Sequence, residues 1–308
     1  MILTLTINPA VDRTISVDRL VFEDRAYILA SGEAAGGRGI NGSRVIHSFG
    51  GKTLAVITSG GKGGEKLEKL LVSSGFPVEV VRIKNEIRTN LTISDRQGLT
   101  IKLNELGPAI EKAELDTVER TIATLLPKAT WLMLCGSLPP GVPGDFYRKL
   151  IFTARKKDVK TLLDTDGEAL AHGLDAGPTV VTPNQPEAER LLNRVLITRA
   201  HFLEAAERVK SLGAESVILS LGSRGAITVD DHRMLEVHPP RIEAVCPIGA
   251  GDAMAAAFVW AMAKRKDFAE SVRWGVAAGA ASARLPGVDF ASLQQTKEIF
   301  KSVEVRPV

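Results

Sequence analysis

Three consecutive pieces decide the fold class: Trp131-Leu132-Met133-Leu134, then Asp145-Phe146-Tyr147-Arg148-Lys149-Leu150-Ile151-Phe152-Thr153-Ala154-Arg155-Lys156-Lys157, then Thr161-Leu162-Leu163-Asp164. The first and last are short apolar runs of strand type. The middle piece repeats apolar side chains at helical spacing. The same rhythm runs outward in both directions. Ile2–Ile7, Thr53–Thr58, Thr179–Thr182 and Ser216–Ser220 read as strands. Ala113–Leu126, with Leu115, Val118, Ile122 and Leu125, reads as a helix. So does Thr198–Leu212, with Gly213 where a helix would stop. Alternating strands and helices predict an α/β fold: a mostly parallel central sheet covered by helices on both faces.

Two regions break the rhythm. Asp12–Glu33 holds strand-like pieces, Thr14–Val17 and Tyr27–Ala30, with no helix between them. Arg88–Asn104 reads as a hairpin, Thr89–Ser94 and Leu99–Leu103 around a turn at Asp95–Gly98. They form either a small second sheet, a lid over the strand ends, or two edge hairpins of the main sheet. Further on, Gly249–Ala263 and Ala269–Arg284 are dense in Gly and Ala, which predicts closely packed helices.

Of the 308 residues, 44% are hydrophobic and 24% charged, which excludes disorder and collagen-like fibre. Apolar runs such as Met254–Met262 fall well short of the ~20 residues of a membrane span. Met1–Pro9 lacks a basic stretch and reads as a strand, so no secretory signal is expected. Cys135 and Cys246 are too few for a disulfide framework and suit a reducing cytoplasm, and Cys246 is expected to be a small buried residue. The five histidines are scattered, unlike a zinc ligand set. The net charge of +3 is spread among interleaved acids and bases, which suits a small anionic ligand and not a nucleic-acid surface.

Three motifs carry chemistry. Gly249-Ala250-Gly251-Asp252 precedes a helical run, Ala253–Lys264. Unpaired amides at a helix start carry partial positive charge, and glycines let an anion approach them. They suit an anion hole for a phosphoryl group in flight, with Asp252 beside it as a proton acceptor. The competing reading is a glycine turn with Asp252 at an N-cap. The second motif, Gly36-Gly37-Arg38-Gly39-Ile40-Asn41, enters a helical pattern over Gly42–Phe49 and offers a cation and an amide to a hydroxylated or phosphorylated ligand. It lacks the Lys-Ser/Thr ending of a P-loop. Gly60-Gly61-Lys62-Gly63-Gly64 reads as a plain strand-to-helix turn. The third motif is Pro183-Asn184-Gln185-Pro186-Glu187. Asn184 and Glu187 either hold a hydrated Mg²⁺ or form a helix-capping box.

In this order the motifs resemble those of the PfkB, or ribokinase-like, carbohydrate kinases. Thr4-Leu5-Thr6-Ile7-Asn8-Pro9-Ala10-Val11-Asp12-Arg13-Thr14, Asn104-Glu105-Leu106-Gly107-Pro108, Gly136-Ser137-Leu138-Pro139-Pro140-Gly141, Asp164-Thr165 with Gly167-Glu168-Ala169-Leu170, and Ser220-Leu221-Gly222 add to the likeness, which covers nearly the whole chain. The branch it resembles is that of 1-phosphofructokinase, tagatose-6-phosphate kinase and minor-type 6-phosphofructokinase. The resemblance implies one ribokinase-like kinase domain over 1–308, with a β-sheet lid from about 12–33 and 88–104 that also serves as a homodimer interface. It implies ATP and Mg²⁺ as cofactors and a sugar phosphate as substrate, with no membrane and no nucleic-acid partner.

Roles follow by position. Asp12, Gly36, Gly37, Arg38, Asn41 and Ser137 would bind the sugar, and Arg25 and Arg88 its phosphate, since a guanidinium pairs with phosphate oxygens two at a time. Asn184, Ser220, Gly222 and Gly225 would serve the nucleotide, and Glu187 the metal. Gly249, Ala250 and Gly251 would form the anion hole with Asp252 as base. Three positions depart from the usual pattern. Arg38 stands where many members have Lys. Thr182 stands where many have Lys, which removes a cation from the nucleotide phosphates. Cys246-Pro247 stands before the anion hole where Ser or Asp and then Thr or Ser are usual. The implied reaction is phosphorylation of fructose 1-phosphate by ATP, with fructose 6-phosphate or tagatose 6-phosphate as alternative substrates. A catalytically weak sugar-phosphate-binding protein is the reading from another class.

Overall fold

The structure, a computed structural model, describes residues 1–308 except Phe22 and Val288. The expected lid segment 12–33 includes Phe22, which lies outside the described residues. The strand–helix alternation forms a ten-stranded sheet. From one edge its strands are Glu304–Pro307, Met234–His238, Ala226–Val229, Val217–Ser220, Val180–Val181, Lys160–Asp164, Trp131–Cys135, Ile2–Thr6, Thr53–Ser59 and Val78–Arg82. Pairing is parallel from Val78–Arg82 through to Val217–Ser220. Beyond that the strands pair antiparallel. Among these are Ala226–Val229 and Met234–His238, a hairpin whose turn is fixed by Asp230 accepting from the His232 and Arg233 amides.

Side chains alternate across the sheet. Leu3 and Leu5 face a core completed by the helices Lys112–Leu125, Phe146–Arg155 and Arg199–Ser211. Ile2 faces the other way, onto Arg38–Ser48, Ala250–Ala263 and Phe268–Ala283. The last two helices approach closely where glycines allow it. A Cβ at Gly275 would lie 2.8 Å from the Met254 carbonyl, and one at Gly279 would lie 2.9 Å from that of Ala250. The small-residue density thus fixes the start of the helix that carries Asp252.

The irregular regions build a separate four-stranded sheet, so the edge-hairpin alternative fails. Its order is Ile28–Gly36, Ala10–Val17, Arg88–Ser94, Thr100–Asn104. Ala10 lies opposite both Gly36 and Arg88, and Asp12 opposite Asn90. One end of this sheet therefore meets the motif residues. Val11 and Ala35 pack beneath it on Ile40 and Leu67, while its two edge strands are largely exposed away from that end.

Two helices start earlier than the sequence predicts. Arg38–Ser48 begins inside the Gly-rich motif, and Ala250–Ala263 has Gly249, not Asp252, as its N-cap. The reason for the first lies in Thr6. Its Oγ1 accepts from the Ile40 amide at 3.1 Å. Any Cβ at Gly37, whose φ is +134°, would press to within 2.6 Å of its methyl. Only glycine lets the helix seat there. Cys135 is buried, whereas Cys246, expected to be a small buried residue, is half-exposed, because it lies in the loop leading to Gly249. Gly279→Val should destabilise the fold by about 1–3 kcal/mol, the usual cost of overpacking. A lowered urea midpoint with an unchanged m-value would report it.

Candidate active site

The helix Arg38–Ser48 presents Arg38, Asn41 and Arg44 three residues apart, on one side. Asn41 Nδ2 donates to Asp252 Oδ2 at 2.7 Å. Arg38 donates from Nη1 to Asp164 Oδ1 at 2.9 Å and from Nη2 to Glu187 Oε1 at 3.1 Å. Asp164 and Glu187 are nearly fully buried, and neutralising both keeps Arg38 firmly protonated. Arg38 is thus turned toward these carboxylates, away from the sugar-side group around Asp12.

Asp252 sits in the first turn of its helix. It keeps some surface exposure, yet protein atoms crowd its carboxyl. Burial pushes the group up to about 7, and the Asp164 charge adds to the rise. The Asn41 hydrogen bond and the charge of Arg38 pull it back, while Asp12 pushes it up. A carboxyl that titrates near neutrality is matched to taking and returning a proton at physiological pH. Of the anion-hole amides, that of Ala250 already donates to the Pro247 carbonyl at 3.2 Å. Among the described residues, the Gly251 and Asp252 amides have no backbone acceptor. Of the expected donors Gly249, Ala250 and Gly251, only Ala250 is thus already engaged among the described residues, and the Asp252 amide joins those left over.

On the other side lies the group expected to hold the sugar. Asp12 accepts from Asn90 Nδ2 at 2.9 Å. Burial raises its carboxyl, offset by Asn90, Arg88 and Arg44. Gly36 leaves the space this carboxylate occupies, since a Cβ there would fall on it. Arg88 donates to the carbonyls of Glu105 and Asn8, each at 3.0 Å, and its Nε is buried without a partner. Asn8 holds Ser137 Oγ at 3.3 Å and the Leu106 carbonyl at 2.9 Å. Arg25 does not join this group within the chain. The strand Ala10–Val17 spans about 23 Å at about 3.3 Å per residue, and Arg25 lies in the exposed loop beyond its far end.

Asn184, Ser220, Gly222 and Gly225 are brought together on the opposite side of Arg38. Asn184 and Ser220 pair as a parallel bridge, and the Leu221 amide donates to the Gly225 carbonyl at 2.8 Å. Gly222 and Gly225 have φ of +62° and +94° in this tight turn. Asn184 and Glu187 form the capping box: Asn184 Oδ1 accepts from the Glu187 amide, and Glu187 Oε2 from the Asn184 amide, both at 2.9 Å. Glu187 also meets Arg38, so each of its carboxylate oxygens is engaged. No group of three or more carboxylate, thiol or imidazole ligands suited to a metal occurs among the described residues. Asp164 and Glu187 fit Mg²⁺ through its waters, as is usual where phosphates complete the coordination. Thr182 follows Val181, the partner of Leu163, and so stands beside Asp164. Its Oγ1 is buried and unpaired.

Asp164, Asn8, Asn90 and Arg44 belong to the site but carried no role in the sequence reading. An acid closing an apolar strand was a signal for Asp164, and helical phase from Arg38 and Asn41 was one for Arg44. Nothing local marks Asn90, whose place depends on strand register.

Comparison with known proteins agrees with this geometry. A profile of the pfkB family carbohydrate kinases matches residues 7–295. The chain is 33% identical over 302 residues to the ATP-dependent 6-phosphofructokinase isozyme 2 of Escherichia coli K12, covering 97% of each. It is 30% identical to a tagatose-6-phosphate kinase of Staphylococcus epidermidis, over 99% of each chain. It is 31% identical to a 1-phosphofructokinase of Borreliella burgdorferi, over 100% of this chain and 99% of that one. A crystal structure of phosphofructokinase-2 from E. coli in complex with potassium superposes with a TM-score of 0.92 at 32% identity over 98% of each chain. With a ribokinase-like fold and the ordered motifs of these enzymes, the chain belongs to the pfkB family of carbohydrate kinases.

Proposed function

We propose that the protein is an ATP-dependent phosphosugar kinase and that its favoured reaction converts fructose 1-phosphate and ATP into fructose 1,6-bisphosphate and ADP. The observation that carries this reading is Asp252. Its carboxylate is oriented by Asn41, tuned toward neutrality, and set at a helix start where, among the described residues, the Gly251 and Asp252 amides have no backbone acceptor. Asp252 takes the proton of the C6 hydroxyl. The hydroxyl oxygen forms a bond to the γ-phosphorus as the bond to the bridging oxygen of ADP breaks. The amides of Gly251 and Asp252 receive the charge on the transferring group. Asp12, Asn90 and Ser137 suit sugar hydroxyls, and Arg88 suits the substrate's own phosphate.

Asn184, Ser220, Gly222 and Gly225 suit the nucleotide. Arg38 supplies, from across the site, the positive charge that Thr182 lacks beside Asp164. Mg²⁺, held through water by Glu187 and Asp164, would neutralise phosphate charge. Fructose 6-phosphate and tagatose 6-phosphate are the competing substrates, since relatives named for them match at 33% and 30% identity, beside 31% for a 1-phosphofructokinase.

The small sheet acts as a lid over the sugar in one kinase domain spanning 1–308. It exposes Tyr27, Ile28, Leu29, Leu99 and Leu103, each 47–64% accessible, apolar surface suited to a second copy. A dimer through that face would give Arg25 a sugar site to reach, that of the partner. No described helix is long and apolar enough to cross a membrane. With two unpaired cysteines, a cytoplasmic setting fits.

A coupled ADP-release assay over fructose 1-phosphate, fructose 6-phosphate and tagatose 6-phosphate should give the highest kcat/KM with the first. Turnover of another alone would reject that choice. Asp252→Asn should lose about 10²–10⁴ in kcat with sugar-phosphate binding nearly intact. The same variant should melt higher than the parent at pH 8. A carboxyl raised in the folded state binds its proton more tightly there than in the unfolded chain, so its contribution to stability is present below about 4 and lost as pH rises through about 7. Activity runs the opposite way, because the base must be ionised: kcat should fall about tenfold per pH unit below 7. Arg38→Met removes a charge that favours the ionised form, so the acid limb of the pH profile should move upward and the KM for ATP should rise.

A further inference from the structure

The third residue of the Arg38–Asn41–Arg44 row has no place in the chemistry above, yet it touches both the small sheet and the loop behind the Asp252 helix. Arg44 Nη2 donates to the Ala35 carbonyl, at a long 3.4 Å. Ala35 immediately precedes the Gly36–Gly37 pair that makes room for Asp12. The charges of Asp12 and Asp289 both act on Arg44. Its guanidinium lies 5.9 Å from the centroid of the Phe290 ring. That ring packs against Gly249, the N-cap of the Asp252 helix, where a Cβ would come within 2.9 Å of Phe290 Cε1. The residue after Phe290 is anchored in turn, the Ala291 amide donating to Ser282 Oγ at 3.1 Å.

One half-buried cation thus stands between the sugar end of the small sheet and the loop backing the anion hole. A planar guanidinium can face an aromatic ring and donate to a carbonyl at once, whereas an ammonium offers only a point charge. We propose that Arg44 is a positioning residue that ties the sugar-binding end of the small sheet to the helix start where transfer occurs. The kinetic part of this proposal rests on the phosphosugar kinase reading. The structural part does not.

The test compares Arg44→Met, Arg44→Lys, Phe290→Leu and the Arg44→Met/Phe290→Leu double variant in the full-length protein. Arg44→Met should lower kcat at least tenfold and raise the KM for sugar phosphate, with the calorimetric Kd for Mg²⁺–ATP within twofold of the parent. Arg44→Lys should recover the sugar-phosphate KM, because it restores the charge beside Asp12, and leave kcat low. Phe290→Leu should lower kcat alone. The double variant should be no slower than Arg44→Met, since both changes cut one link.

Losses that multiply in the double variant, or an Arg44→Lys enzyme with both constants restored, would overturn the proposal. Amide hydrogen exchange over residues 248–253 is measured in parallel on the ligand-free proteins. It should quicken in Arg44→Met and in Phe290→Leu, and unchanged exchange overturns the proposal whatever the rates. Should the parent phosphorylate none of the three sugar phosphates, the kinase reading fails on its own, and the exchange data still decide whether Arg44 holds the loop. If Arg44→Met does not fold by circular dichroism, Arg44→Lys and Phe290→Leu carry the comparison.

Discussion

Crowding of like charge governs this molecule. Asp12, Asp164, Glu187 and Asp252 gather where the two sheets meet, and burial disfavours the ionised form of three of them. Such a cluster persists only if cations are built into it, because a buried unpaired carboxylate is far costlier than a paired one. Arg38 is that cation for Asp164 and Glu187, and Arg44 and Arg88 offset Asp12. One helix, Arg38–Ser48, delivers two of the three arginines together with Asn41. Its seat on Thr6, possible only with glycine at 37 and 39, is therefore a requirement of the electrostatics as much as of packing.

This arrangement leaves the site polarised. Around Asn184 and Asp164, Glu187 is tied to the Asn184 amide and both carboxylates to Arg38, which fixes them. Toward the sugar side the polar atoms are less satisfied: Arg88 Nε, Asn90 Oδ1 and Asn8 Oδ1 are buried without partners. Buried donors and acceptors of this kind are costly to leave unmade, so they favour a ligand rich in hydroxyl and phosphate oxygens. Asp252 lies between the two halves. Its raised proton affinity follows from the same crowding and destabilises the fold near neutrality, an example of a functional site working against stability.

Much of this was legible in the sequence, for identifiable reasons. The strand–helix rhythm around Trp131 and Asp164 specified a parallel sheet because period-2 and period-3.6 patterns differ over such lengths. The antiparallel edge at Ala226–His238 was missed because short hairpin strands carry little periodicity. The glycine-rich motifs located Arg38, Asn41 and Asp252, yet the helix boundaries were placed three or four residues late, since glycine is a poor helix former that tertiary contacts can override. Asn90 was invisible because its role comes from register between distant strands, and Asn8, though within a quoted motif, gained its role only from loops distant in sequence. Arg25 was placed by motif position alone, and strand length carries it away from the site.

The contacts that complete the site join residues far apart along the chain: Asp12 to Asn90 across 78 positions, Arg38 to Glu187 across 149, Asn41 to Asp252 across 211. Synthesis from the N-terminus therefore delivers the arginine-bearing helix long before the acids that neutralise it. A nascent chain must carry Arg38 solvated until the middle third, with Asp164 and Glu187, has been made. Of these contacts only that of Asn41 with Asp252 waits for the last third, so the charge balance around Arg38 is complete before the helix start that bears Asp252 exists.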